Sequence, residues 1–133
     1  MSGVRADLAA AITDAVRPTY PQVQVYGHPE DVTQLPALVL VPGDPWCRPT
    51  TMGGGGGGAG TLEWQFHLAI CAHRAPVESS IELMEALRQL VEQGLTTLGG
   101  RWSQLGNPDT IELAGTQALV AEMDLFLMTE RQR

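Results

Sequence analysis

The groups in this sequence that could do chemistry are a glycine run, two thiols, three imidazoles and a few paired carboxylates. Gly53 to Gly58 would let backbone amides close on a phosphate, since glycine has no Cβ to hold an anion off. No Lys-Ser or Lys-Thr follows the run, however, and the chain contains no lysine at all. The run also leads into an alternating strand pattern rather than a helix N-terminus, so neither a phosphate loop nor a dinucleotide fingerprint is built here. The expected state is a polar loop.

His67, Cys71 and His73 share one parity, and Cys47 lies upstream, which raises the question of a metal. On a strand, His67 and Cys71 stand ~13 Å apart, whereas two ligands of one zinc lie within ~4 Å of each other. Only Cys71 and His73 could share an ion. Without a C-x-x-C pair, neither a zinc ribbon nor a disulfide scaffold is implied, and two free thiols are expected. No Gly-x-Ser-x-Gly elbow is present to activate a serine. Ser79 has Glu82 three residues on, the form of a capping box, and so is expected to start a helix. Glu30-Asp31, Glu122 and Asp124 read as solvated carboxylates. No catalytic constellation, cofactor or metal is expected, and the chain is not expected to be an enzyme.

The elements that position these groups follow from periodicity. Val4, Leu8, Ile12 and Val16 recur at helical spacing until Arg17-Pro18 ends the run. Gln22 to Tyr26 reads as a short strand, and Leu35 to Pro42 as a buried one. Thr61 to Cys71 alternates, with Leu62, Trp64, Phe66, Leu68 and Ile70 on one face. A helix from Ser79 carries the stripe Ile81, Met84, Leu87, Val91, Leu95 and Leu98, with Glu85, Arg88, Gln89 and Glu92 outside, and Gly99-Gly100 stops it. Trp102 to Leu105 reads as a connector, Thr110 to Leu113 as a strand. Gln117 to Met128 is a long strand with Leu119 to Leu127 on one face and Val120, Glu122, Asp124 and Phe126 on the other. The order α-β-β-β-α-β-β predicts an α+β fold, a mixed or antiparallel sheet of four to five strands with two packed helices.

The 133 residues form one domain, interrupted by a Gly-rich loop over 43–60. Eleven strand residues reach ~36 Å, about the diameter of a compact chain of this size, so the long strands must cross the domain or protrude. Val120 and Phe126, apolar on a polar face, then need cover. Trp46 and Met52, beside the glycines, have the form of an anchor on a mobile tether that orders on binding. Fifteen acidic against eight basic residues give −7, and all eight basic residues are Arg, a usage that points to GC-rich coding in a bacterium or its phage. The N-terminus lacks a signal-peptide core, and no apolar run approaches the ~20 residues of a membrane span, so a soluble protein made in the cytoplasm is expected.

A short amphipathic helix, a strand, then Tyr26-Gly27-His28-Pro29, then Pro36 to Trp46, then a Gly-rich stretch into a long alternating strand resembles the tail terminator, or tail completion, proteins of long-tailed actinobacteriophages. The likeness runs from about Val4 to Met128. It implies a homohexameric ring in the virion that caps the tail tube, stops its polymerisation and joins it to the head connector. The partners would be the major tail tube protein and the connector, with DNA passing through the ring unbound and no membrane involved. On this reading Trp46, Met52, Val120 and Phe126 are candidate assembly contacts, and Glu63, Glu122 and Asp124 candidate acidic channel or surface residues. Another neck component, such as a head completion or connector protein, shares the size and acidity, and a small ligand-binding α+β domain is the remaining alternative.

Eight arginines scattered among fifteen carboxylates make no basic stripe. Binding to duplex DNA at ~150 mM salt should be no tighter than the roughly 10⁻⁴–10⁻⁶ M of non-specific contact. A gel shift with sub-micromolar affinity would contradict this.

Overall fold

The computed structural model describes residues 3–50, 61–113 and 115–130. Met52 and the run Gly53 to Gly58 lie outside them. The order is α1 (Val4–Val16), β1 (Val25–Tyr26), a 3-10 turn at Pro29–Asp31, β2 (Ala37–Thr50), β3 (Thr61–His73), α2 (Val77–Thr97), β4 (Arg101–Leu105), β5 (Asp109–Leu113) and β6 (Thr116–Glu130). The fold is α+β, with both helices on a mixed sheet.

Strand β3 is central. It pairs antiparallel with β2 on one edge and with β6 on the other, from Thr61 to His73 on the β6 side. Strand β1 adds to β2 in parallel through Val25 and Tyr26, and β4 and β5 share the outer edge of β6, facing Met123 to Phe126 and Thr116 to Val120 in turn.

Because side chains alternate across a strand, register decides which residues reach the helices. Leu38 and Leu40 face Ile70 and Leu68, which face Ala121 and Met123, so one layer carries Phe66, Leu68, Ile70 and the odd-numbered residues Leu119 to Leu127 toward α1 and α2. Leu8, Ile12, Met84, Leu87, Val91 and Leu95 close this core, each side chain worth about 1.5–3 kcal/mol on burial. The opposite sheet face is covered at one end by a second cluster, where Val32 packs with Val39, Cys71, Leu113 and Val120.

Several local expectations change. The connector at Trp102 to Leu105 is part of β4, a sixth strand whose pairing breaks register between Trp102 and Leu105. Its sequence, Arg-Trp-Ser-Gln-Leu, lacks the alternation that would have marked it. Strand β1 is confined to Val25–Tyr26. Residues Gly43 to Thr50 extend β2 rather than opening a loop, after a bulge in which Gly43 to Trp46 stand opposite Gln65 alone. Gly43 suits that bulge, since a Cβ there would lie 2.7 Å from Gln65 Cγ.

Helix α2 starts at Val77, two residues before the expected capping box. Pro76 occupies the N-cap, and the Ser80 amide donates to its carbonyl at 3.1 Å, while Ser80 Oγ donates to the His73 carbonyl and pins the helix to the end of β3. Ile81 and Leu98, assigned to the apolar stripe, are exposed. The stop at Gly99 is as expected, with φ +72 and the Gly100 amide reaching the Leu95 carbonyl.

Helices α1 and α2 cross at Gly94, where a Cβ would sit 2.7 Å from the Ala11 carbonyl oxygen and 3.0 Å from Ile12 Cα. Alanine is the better helix former by about 1 kcal/mol, but here it strikes backbone. Gly94→Ala should therefore lower stability by roughly 1–3 kcal/mol in urea unfolding, as overpacking does. An unchanged or raised midpoint would show that the helices do not meet so closely.

Candidate functional site

At the end of the sheet where β2 and β6 finish and β3 begins, the strands outlast the main core. Trp64 packs against that core and Leu62 no longer belongs to it. Among the described side chains, one buried carboxylate lies on the face of this end that is turned away from the helices. Glu63 is 8% exposed, and removing a carboxylate from water is costly unless it is paired and hydrogen-bonded.

Two arginines supply that pairing. Arg48 on β2 stands opposite Glu63 and donates from Nε and Nη2 to Oε1 at 2.9 and 2.7 Å. Arg101 on β4 reaches across β6 and donates from Nη2 to Oε2 at 3.0 Å. Its guanidinium also lies over the Phe126 ring, 4.4 Å from the centroid, the geometry of a cation–π contact. Both arginines remain exposed and keep unused N–H donors, so the group carries one net positive charge on a projecting end. Met128, opposite Glu63, is 45% exposed on the same face.

On the helix side of the same end, Trp64 Nε1 donates to Thr129 Oγ1 at 2.9 Å, and Trp46 meets Trp64 edge to face at 5.9 Å between centroids. Trp46 remains 49% exposed. Further along the open face, His67 Nδ1 pairs with Asp124 Oδ1, directly opposite in register, while Glu122 is exposed.

The candidate residues therefore separate. Trp46 and Phe126 reach the projecting end, and Met52 lies outside the described residues. Val120 does not need an outside partner, because at 5% exposure it is covered by the second cluster of this chain. Phe126 is half-buried beneath Arg101 rather than open. Glu63 is neutralised by two arginines and is no open channel carboxylate, whereas Glu122 and Asp124 do lie on the uncovered face. Arg48, Arg101 and Met128 were not singled out from sequence. Arg48 falls in a stretch read as loop, and Arg101 between the Gly99-Gly100 stop and the connector read over Trp102 to Leu105, so neither had a strand face to be placed on.

Among the described residues no group of three or more His, Cys, Asp and Glu side chains is arranged to hold a metal ion. Cys71 points into the second cluster and His73 is exposed. On α2, Arg88 and Glu92 form the expected pair at 2.8 Å, with Trp102 beneath the guanidinium, and together they hold the Glu92 carboxyl below its ordinary range. Arg88 and Glu92 line an open groove of about 540 Å³ with Gln89, Gln93 and Thr96. No helix among the described residues is long and apolar enough to cross a membrane. No protein-family model matches the chain, and no curated protein matches it.

Burial, reinforced by the charge of Glu122, pushes the Cys71 thiol up to about 12. Cys47 is only half-buried. At pH 8 a thiol reagent should therefore label Cys47 and spare Cys71 until the protein is unfolded. Because the unfolded thiol ionises near 9 and the folded one does not, this group's contribution to stability should be full below pH 9 and decline as pH rises toward 12. Equal labelling of both thiols in the native protein, read by mass spectrometry, would contradict this.

Proposed function

We propose that the chain is a structural subunit of a phage tail, a terminator whose copies close into a ring on the tail tube and join it to the head. The observation that carries the reading is the length of the sheet. Strands β2, β3 and β6 run 14, 13 and 15 residues, or ~43–50 Å, while the 21 residues of α2 reach ~32 Å. The sheet thus outruns its own helical cover and presents Trp46 and Met128 to solvent. Apolar side chains displayed together with arginines on a projecting end suit burial against another protein surface.

Two further features support the reading. The charge of −7 on every subunit would keep a ring from gripping the DNA that slides through it. Glu122 and Asp124, on the uncovered sheet face, are the carboxylates that would meet the passing duplex. The role is that of a virion component, assembled in the host cytoplasm, with no chemical step to perform. The resemblance of the Val4 to Met128 pattern to tail terminators favours the terminator over another neck component, such as a head completion or connector protein.

Mass photometry and negative-stain imaging of the purified protein, alone and with the tail tube protein of the same phage, should show rings several-fold above 14.3 kDa. Added to polymerising tube protein, the chain should shorten the tubes. A strict monomer under all these conditions, leaving tube length unchanged, would overturn the proposal.

A further inference from the structure

Two exposed patches at opposite ends of β3 are complementary in both charge and apolarity. The first is on the opening turns of α2. At 100° per residue, Val77, Glu78, Ile81, Glu82 and Glu85 fall within an arc of roughly 140° on the outer side of the helix. Val77 is 52% and Ile81 37% exposed, so two apolar side chains sit among three exposed carboxylates. In the sequence this stretch is flanked by Arg74, in the turn before the helix, and by Arg88, which is engaged by Glu92. This patch is therefore apolar and acidic.

The second patch is the projecting end described above, where Met128 and Phe126 lie beside Arg48 and Arg101. Among the described side chains, two guanidiniums against the carboxylate of Glu63 leave it apolar and basic. Glu63 and His73 are ten residues apart on β3, ~33 Å along the strand, and α2 begins four residues after His73. One molecule cannot bring the two patches together. Two molecules can.

We infer that the acidic, apolar opening of α2 in one copy docks on the Arg48–Arg101–Met128 end of the sheet in the next. The inference rests on the ring reading and specifies its contact. The occupant is a second copy because every copy carries both halves of the match. A contact joining two different patches is head-to-tail, and such contacts close into a ring when the rotation between neighbours divides the circle. Met128, Val77 and Ile81 supply the buried apolar area. Glu82 and Glu85 meet the unused donors of Arg48 and Arg101, and the like charges on each patch disfavour a symmetric pairing of identical surfaces.

The test is a charge swap, read by sedimentation velocity across a concentration series in which the wild type passes from monomer to assembly. Glu82→Arg and Arg101→Glu should each weaken assembly by about tenfold, and the chain carrying both should recover to within about threefold of wild type. Since Arg101→Glu also removes a partner of Glu63, Met128→Asp, at an exposed position with no ion pair, provides an independent variant. It too should weaken assembly about tenfold while its thermal unfolding stays that of the wild type. Assembly indifferent to Glu82→Arg and Met128→Asp, or a double variant no better than the singles, would overturn this contact and leave the ring reading standing. A wild type that never assembles would overturn both.

Discussion

Everything in this fold hangs on β3 being paired along both edges. A strand in that position is paired with β6 from Thr61 to His73 and with β2 from Thr61 to Cys71 except at the bulge opposite Gln65, so little but its two faces remains to be satisfied. The even-numbered face, Phe66 to Ala72, meets the helices and must be apolar. The odd-numbered face is apolar only where the second cluster covers it, at Cys71 and Ala69, and becomes polar at His67, Gln65 and Glu63. The switch in character along one face of one strand marks where the molecule's own cover ends.

That switch explains which features were legible in the residues. Alternation in β3 and β6, the α1 stripe, the Pro18 and Gly99 stops and the central part of α2 were readable because each depends on neighbours close in sequence. The extension of β2 through Gly43 to Thr50 was not, because Gly, Pro, Asp and Pro are loop signals locally and become strand only by pairing with β3. Strand β4 was hidden for the same reason, being specified by the edge of β6 rather than by its own composition. Val120 misled in the opposite direction, since Val32, Val39 and Cys71, which share its cluster, are far away in the chain.

The electrostatics follow from the same geometry. Glu63 sits on the central strand where neighbours on both sides exclude water, and each side returns an arginine to it. The desolvation cost of the carboxylate is offset by charge-assisted hydrogen bonds at both oxygens, and Arg101 gains a second contact on Phe126. One buried acid thereby orients two cations that would otherwise sample many rotamers, so the positive end of the sheet is held in place before any partner arrives.

The outer edge of β2 has its own consequence. The Leu38 amide points away from β3, toward the Gln24 carbonyl, and by alternation Pro42 and Pro49 fall in the same outward-facing class. Proline has no N–H to offer, so a strand laid along this edge would find carbonyls without their matching donors at those slots. Edge-to-edge zippering, the route by which exposed sheets grow into open-ended fibrils, is hindered along the outer edge of β2. A second copy brought against this side of the molecule would be limited to contacts between faces rather than between strand backbones.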